Sequence, residues 1–450
     1  MPEHELLIIG SGPAGSAVAK TCARAGMDVA VADELFGGTC ALRGCTPKKA
    51  METVTSLYWK LRALDHMGAP ERMGQTEWSG LLRQHQQFTT LVTANTKEMF
   101  RSMGMSVYEG AVRFTGENSV RVGEAEEVTA KTIVIATGAH PREMDISGAD
   151  LTITSKDFFK LQKLPKSIAF IGAGYISFEM AHIAAACGAQ VTIISDEEKP
   201  LPHFDPKLVT KLCESANQKG IRLVVGYEAI RVHGSPGRLT VEAKRPQDDD
   251  VIRLEAACVF NATGRVVNVD LDLEEAGVDY DEQKGIEVDE HYRTSNKNVY
   301  AIGDVTGREQ FTPVAEREGS VLAHNLQHPR RKKTFDYVGL PKVMFTDPKM
   351  GMVGKLESEL EEEGIEYDCH EKNLDGDLLE KAAGNEFAHS RIFTEPDKGK
   401  ILGAHLLGVH AHETINLFAI AMQIGMTAED LEGLDLGYPT ALHTAKNLFD

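Results

Sequence analysis

The stretch ELLIIGSGPAG, residues 5 to 15, constrains the fold more than any other, because an apolar run passes straight into Gly10-x-Gly12-x-x-Gly15 and then into the small-residue segment SAVAKTCARAG. The apolar run predicts a strand, the small-residue segment a helix, and DVAVAD a second strand, so this region reads as a βαβ unit. Its glycines permit a tight turn and let a pyrophosphate approach the backbone at a helix N-terminus. Asp33, 18 residues after Gly15, can hold the hydroxyl pair of a ribose. An ordinary glycine-rich turn is the bland alternative, and strand, helix and acid in register speak against it.

A second copy follows in KSIAFIGAGYISFEMAHIAAACGAQVTIISDEE, with Gly172 and Gly174 after the strand and Ser177 where a third glycine often sits. The chain therefore carries two nucleotide sites. Three further phrases, TIVIATGAHP (132–141), ACVFNATGRVVN (257–268) and NVYAIGDVTG (298–307), each end a strand in a glycine turn, as nucleotide domains do where the chain crosses to the next. From about residue 335 the pattern changes to strands followed by two helices, an α+β region without a nucleotide signature. The expected class is α/β: two Rossmann-like dinucleotide-binding domains plus a C-terminal α+β domain. Expected linkers lie near 142–165, 265–300 and 326–336, the last being the basic run HPRRKK, a solvated connector. VEAKRPQDDDVI (241–252) reads as a hairpin with an exposed acidic turn.

At 450 residues two to four domains are expected, and 42% hydrophobic with 26% charged residues is the balance of a globular protein. No apolar run approaches bilayer length, and the N-terminal phrase lacks a basic segment ahead of its apolar stretch. We expect no membrane partner, no signal peptide and a cytoplasmic location. A formal charge of -19 repels phosphate backbones, so nucleic acid is not an expected partner. The seven cysteines (22, 40, 45, 187, 213, 258, 369) are odd in number and scattered, unlike a secreted disulfide framework.

Only Cys40 and Cys45, in FGGTCALRGCTPKK, form a close pair. Such a pair can bind metal, staple the chain or exchange electrons. Zinc would need a second short-spaced Cys/His pair, but none follows closely, and His410 with His412 lie far away in an unrelated context, so no metal is expected.

Two dinucleotide folds, a CxxxxC after the first, AIGD (Ala301 to Asp304), FTPVA (Phe311 to Ala315) and an α+β tail, in this order, resemble the flavoprotein disulfide reductases, the class I pyridine nucleotide-disulfide oxidoreductases. Their members include glutathione reductase, dihydrolipoyl dehydrogenase and mercuric reductase. The resemblance covers essentially the whole chain and implies a FAD-binding domain at 1–148 and 265–334, an NAD(P)-binding domain at 149–264 and a dimerisation domain at 335–450. It implies FAD on Gly10, Gly12, Pro13, Ala14 and Gly15, with Asp33 and Glu34 at its ribose. Gly38, Thr39, Ala111, Ala136, Thr137, Gly138, Gly264, Gly303, Asp304, Phe311, Thr312 and Ala315 complete that site, Asp304 at the ribityl or pyrophosphate region and Thr312 beside the isoalloxazine. The nicotinamide nucleotide falls to Gly172, Gly174, Tyr175, Ile176 and Asp196, with Tyr175 as an aromatic lid. Glu179 resembles the acid that pairs with a lysine near flavin N5, which is Lys48 or Lys49.

By the same resemblance Cys45 faces the flavin and Cys40 attacks the acceptor. A helix N-terminus at Cys45, Lys48 or Lys49, and Arg43 between the sulfurs all favour thiolate. Arg43 stands where relatives more often carry valine; it either recruits an acidic substrate or is a solvent-facing loop residue.

The family's proton partner is a histidine in HPTxxE, oriented by the glutamate and contributed by the other subunit of a homodimer. Here the phrase is GYPTALHTAKNLF, with Tyr438 at the histidine and His443 at the glutamate. Three readings stand: His443 acts as base although five residues along an expected helix, Tyr438 donates a proton despite an ordinary phenol pKa of ~10, or the dyad is lost.

Ser320 stands where glutathione reductases place an arginine, and the last cysteine is Cys369, which excludes mercuric turnover through a C-terminal cysteine pair. SDEEKPLP puts Asp196, Glu197 and Glu198 near the adenosine ribose, where carboxylates accept a 2′-hydroxyl and repel a 2′-phosphate, so NADH is expected over NADPH. The expected activity passes electrons from NADH through FAD to the Cys40–Cys45 disulfide and on to a small-molecule or protein disulfide, within cell redox homeostasis. The competing readings are a flavin diaphorase that reduces quinones, metal ions or electrophiles, and a non-catalytic redox-sensing or assembly flavoprotein.

Overall fold

The computed structural model describes residues 3–65, 67–68, 74–124 and 126–449. The chain opens with β1 (Glu3–Ile9), α1 (Pro13–Arg24), β2 (Val29–Asp33), α2 (Gly38–Arg43), α3 (Cys45–Ala63), α4 (Trp78–Thr89) and α5 (Val92–Ser102). Next come β3 (Ser106–Glu109), β4 (Val112–Gly116), β5 (Ser119–Val122), β6 (Glu126–Ile135), β7 (Ala139–Pro141) and the short α6 (Ser155–Phe158). The second glycine phrase builds β8 (Ser167–Ile171), α7 (Tyr175–Ala186), β9 (Gln190–Ile194), α8 (Pro206–Gln218) and β10 (Ile221–Val224). It continues into β11 (Glu228–Ser235), β12 (Arg238–Lys244), β13 (Val251–Ala256) and β14 (Cys258–Asn261). After these run β15 (Arg265–Val267), β16 (Tyr280–Asp281), β17 (Gly285–Ile286), β18 (Val299–Ala301) and α9 (Thr312–Gln327). The last part holds β19 (Lys342–Met344), β20 (Lys349–Gly354), α10 (Glu357–Glu362), β21 (Asp368–Asn373), α11 (Leu378–Ala382), β22 (His389–Thr394) and β23 (Ile401–Gly408). It closes with α12 (Ala411–Ile424), α13 (Ala428–Glu432) and α14 (Ala441–Ala445).

Packing divides these elements into two compact units. One gathers the chain up to Lys48 with Gln84–Arg142 and Gly264–Asp336; the other gathers Lys49–Arg83, Glu143–Thr263 and the chain from Tyr337 onward.

In the first unit the sheet runs β3-β2-β1-β6-β5-β4, with β18 also on β6; β1 pairs in parallel with both β2 and β6. The unbroken run LLII in β1 has a physical cause. Leu6 and Ile8 pack with Val18, Phe36 and Phe100 on one face, while Leu7 and Ile9 pack with Phe114, Leu271 and Val299 on the other. A parallel strand covered on both faces has no solvent side to mark with polar residues.

The second unit repeats the logic in the parallel sheet β10-β9-β8-β14: Ile168 and Phe170 face one cluster, Ala169 and Ile171 another. Beside it lies the antiparallel sheet β11-β12-β13, whose β12–β13 turn at 245–250 is the expected hairpin; Arg245 meets Asp248 there at 3.1 Å. The C-terminal region forms the antiparallel sheet β19-β20-β23-β22-β21, and Ile415 and Phe418 of α12 pack with Val353, Ile392 and Leu406 of that sheet. Gly351 permits this approach, since a Cβ there would lie 2.8 Å from the Ala411 carbonyl oxygen.

Two expected linkers are structured instead. Segment 265–300 holds β15 to β17 ahead of the expected strand β18 and sends Leu271, Leu273, Val278 and Ile286 into the core of the first unit. Segment 142–165 holds α6 and buries Phe158 and Phe159. Short strands interrupted by acidic turns lack the periodicity that would have announced them. Among the described residues no helix is long and apolar enough to cross a membrane.

Candidate active site

At the first glycine phrase, Gly10 has φ +104, and a Cβ there would lie 2.3 Å from the Ala136 carbonyl oxygen; a Cβ on Gly15 would lie 2.0 Å from that of Gly10. Both positions admit only glycine for reasons of space, and Gly10 by its dihedral angle as well. Helix α1 is N-capped by Gly12 with no side-chain cap, so its first amide groups are left for a ligand. Helix α8 shows the contrast, its first turn being satisfied by the Asp205 carboxylate.

Ser11, which the motif leaves as an x, is the hub of this loop. Its hydroxyl donates to Asp33 Oδ2 at 2.6 Å and accepts the Gly37 amide at 2.9 Å, and its own amide donates to the same Asp33 oxygen at 2.6 Å. Among the described residues Asp33 Oδ1 accepts the Leu35 amide alone, at 3.0 Å, which leaves capacity for a ribose hydroxyl. Glu34 is exposed beside it. Gly38 has φ +69, and a Cβ there would lie 2.6 Å from the Gly12 Cα, so the Gly-Gly pair ahead of Thr39 packs directly onto the first loop.

From the far end of the unit, Gly303 sits between α1 and α9, where an added Cβ would lie 3.1 Å from the Ala14 Cβ and 3.5 Å from that of Ala315. Its amide donates to the buried Glu318 at 2.7 Å. Asp304 follows, its carboxyl raised by burial against the opposing pull of Arg265. Thr137 and Asn268 exchange two hydrogen bonds of 2.7 and 2.6 Å, tying the turn at Ala136 to Gly138 to the strand after Gly264. Ala111 lies on the loop before β4, its carbonyl accepting the Gly123 amide at 2.8 Å. A cradle of bare helix amides, close-packed glycines and one carboxylate with a spare lone pair fits the pyrophosphate and ribose of FAD.

The cysteine pair belongs to the same unit. Cys40 lies in α2 and Cys45 opens α3, so the predicted helix N-terminus at the second cysteine is present. Cys45 Sγ lies 3.6 Å from the Thr312 hydroxyl, itself at the N-terminus of the 16-residue α9. Two helix N-termini therefore converge on the pair, a stronger bias toward thiolate than one. The bias falls unevenly: the Cys40 thiol is pushed above its ordinary range first by its hydrogen bond to Cys45 and next by burial, with Thr312 opposing. Arg43 ends α2, partly exposed.

The two lysines of CTPKK part company. Lys48 is buried, whereas Lys49 is partly exposed and paired with Glu52 at 2.6 Å, its ammonium 4.1 Å from the Phe345 ring centre.

In the second unit, Gly172 has φ +100 and its Cβ would lie 2.4 Å from the Ala262 carbonyl oxygen, repeating Gly10. Gly174 N-caps α7 without a side-chain cap. Ser177, at the third glycine position, donates to the Gly172 carbonyl, so a hydrogen bond replaces the close contact Gly15 makes. Tyr175 opens α7, largely exposed, followed by Ile176; Glu179 is buried and accepts the Phe345 amide at 2.8 Å. Asp196 to Lys199 are exposed beyond β9, with the Ser195 hydroxyl accepting the Glu197 amide at 3.2 Å. This site fits a nicotinamide dinucleotide by the same test.

Tyr438 and His443 also belong to the second unit, and their rings meet edge to face with centres 5.1 Å apart. They do not share a helix as expected. Helix α14 starts only at Ala441, N-capped by Thr440, and Tyr438 precedes it, three-quarters exposed.

The family model for pyridine nucleotide-disulphide oxidoreductases matches residues 4–319, and the model for the dimerisation domain of the same proteins matches 340–447. The chain belongs to this family. Among relatives of this pyridine nucleotide-disulphide oxidoreductase, glutathione reductase of Nostoc sp. is 31% identical over 446 residues, covering 96% of each chain. Dihydrolipoyl dehydrogenase 2 of Haloarcula marismortui is 28% identical, covering 98% of this chain and 95% of its own. Mercuric reductase of Staphylococcus aureus is 29% identical, covering 95% of this chain and 79% of its own. The HOCl-induced flavoprotein disulfide reductase RclA of Escherichia coli superposes with a TM-score of 0.89 at 24% identity, covering 99% of both chains, and so shares the fold. The protein is an oxidoreductase of a family that contains FAD and uses NAD(P)H.

Proposed function

We propose that this protein is a homodimeric, cytoplasmic oxidoreductase that takes electrons from NADH and passes them through FAD to a Cys40–Cys45 disulfide and on to a small-molecule or protein disulfide. The observation that carries the reading is the hydrogen-bonded cysteine pair, touched by Thr312 at two converging helix N-termini, in the same unit as the glycine cradle. Bound FAD supplies a two-electron relay between nicotinamide and sulfur.

Each residue then has a role. The Cys40–Cys45 bond breaks as it gains an electron pair, leaving Cys45 as the thiolate beside the flavin and Cys40 as the protonated partner. Cys40, once it yields its proton to the base, attacks the acceptor disulfide, and one acceptor sulfur leaves as a thiol with that proton; Cys45 then displaces the second acceptor sulfur, which leaves with a proton from solvent as the second thiol, and the Cys40–Cys45 bond is restored. The raised Cys40 thiol makes a base necessary. His443 serves with Tyr438 in contact, brought by the other subunit. Of the two lysines, Lys48, the buried one, takes the flavin-facing role, and Lys49 does not. Domains follow as FAD-binding (1–148 and 265–334), NAD-binding (149–264) and dimerisation (335–450).

A flavin diaphorase is the second reading, favoured by Tyr438 and His443 in place of a histidine and glutamate. Anaerobic reductive titration separates the two. The dithiol reading expects a long-wavelength thiolate-to-flavin band after two electrons and uptake of four per FAD; Cys40→Ser with undiminished turnover overturns it and leaves the diaphorase.

A further inference from the structure

Glu52, on α3, is among the most deeply buried carboxylates of the second unit, at 3% exposure. One oxygen lies 2.6 Å from Lys49 Nζ and the other 2.6 Å from Lys349 Nζ, and Lys349, almost as buried, also donates to the Thr346 carbonyl at 2.7 Å. No motif demands this triad, and a buried ion pair is costly enough to require a reason. Its place on the helix supplies one. Seven residues separate Cys45 from Glu52, just under two turns, so both lie on one face of α3 roughly 10 Å apart.

Building on the dithiol reading, we propose that Glu52 and Lys349 are positioning residues that set the thiolate balance of Cys45, the Lys49–Glu52–Lys349 triad holding one net positive charge behind it on the helix. The other titratable groups packed around the triad are Asp347, Glu179, His182 and His412. Asp347 is paired with Lys219, the residue that follows α8, at 3.2 Å, and Glu179 of α7 is bonded to the Phe345 amide. His182 of α7 and His412 of α12 are each pushed down to about 4, foremost by burial and, for His412, next by Lys349 and Lys49. Burial would raise the Glu52 carboxyl, but Lys349 and Lys49 outweigh it and hold it below the usual range. The triad therefore gives a constant bias near neutral pH.

The test is the pH midpoint of the thiolate-to-flavin band in two-electron-reduced holoenzyme. At an effective dielectric between ~20 and ~80, one charge at this distance shifts the midpoint by about 0.3 to 1.2 pH units. Glu52→Gln removes a negative charge and lowers the midpoint; Lys349→Gln removes a positive charge and raises it; the double variant returns it to the wild-type value. Singles that shift alike, or a Lys349→Gln midpoint that stays put, overturn the proposal. Lys349→Gln keeps a donor for Glu52 and Thr346, so it decides the matter even where Glu52→Gln fails to fold. Absence of the band in the wild type instead removes the dithiol reading, and this inference with it.

Discussion

Gly15 and Ser177 occupy the same motif position in two copies of one unit, yet only the first has to be glycine. A Cβ on Gly15 would collide with the Gly10 carbonyl, also backbone, and neither atom can swing aside as a side chain would. Gly15→Ala should therefore give protein depleted in FAD, measured as the flavin-to-protein absorbance ratio after purification; full occupancy would contradict this. The glycines were legible in the sequence because steric need leaves a residue-type signature. Ser11, Arg265, Glu52 and Lys349 were not legible, since a serine or charged residue earns its role from what lies across space, and many such residues are simply solvated. Tyr438 and His443 were half legible: their motif positions could be read, but not their ring contact.

At the scale of elements, the β21–β22 pair is held to α8 by charge. Arg391 of β22 is buried and reaches Asp205 at 2.6 Å, Glu357 at 2.8 Å and Glu371 at 3.2 Å, while Glu371 also takes Lys207 and His389. The hydrogen bond from Lys207, opposed by burial and aided by His389 and Arg391, brings the Glu371 carboxyl down to about 2. A carboxyl depressed in the folded state adds stability that is present above its unfolded value near ~4.3 and is lost as pH falls toward 2. Glu371→Gln should accordingly lower Tm at pH 7, and the gap from wild type should close between about pH 4 and 2; a gap independent of pH would show that packing rather than charge is responsible. Strand and helix existence was readable where periodicity was long, as in β1, α1 and β8. It failed for β15 to β17, whose few residues are made strands by pairing and burial and not by local preference.

For the molecule as a whole, a formal charge of -19 and the exposed acids Asp196, Glu197 and Glu198 act in the same direction on a nucleotide carrying an extra phosphate. NADH should show the higher kcat/KM at low salt, and the deficit of NADPH should shrink as ionic strength screens the field over a Debye length of ~8–10 Å. Comparable values at low salt would remove the NADH preference. By itself, the sequence determined the α/β class, the two nucleotide folds and the cysteine pair, because glycine spacing and continuous apolar runs are local consequences of backbone geometry and two-sided burial. Tertiary structure alone decided which lysine of CTPKK is buried, that Thr312 touches Cys45, and which groups pair with Glu52 along α3. Those depend on Thr312, Glu52 and Lys349, residues distant in the chain or silent in any motif, whose effects arise only when folding removes water from between them.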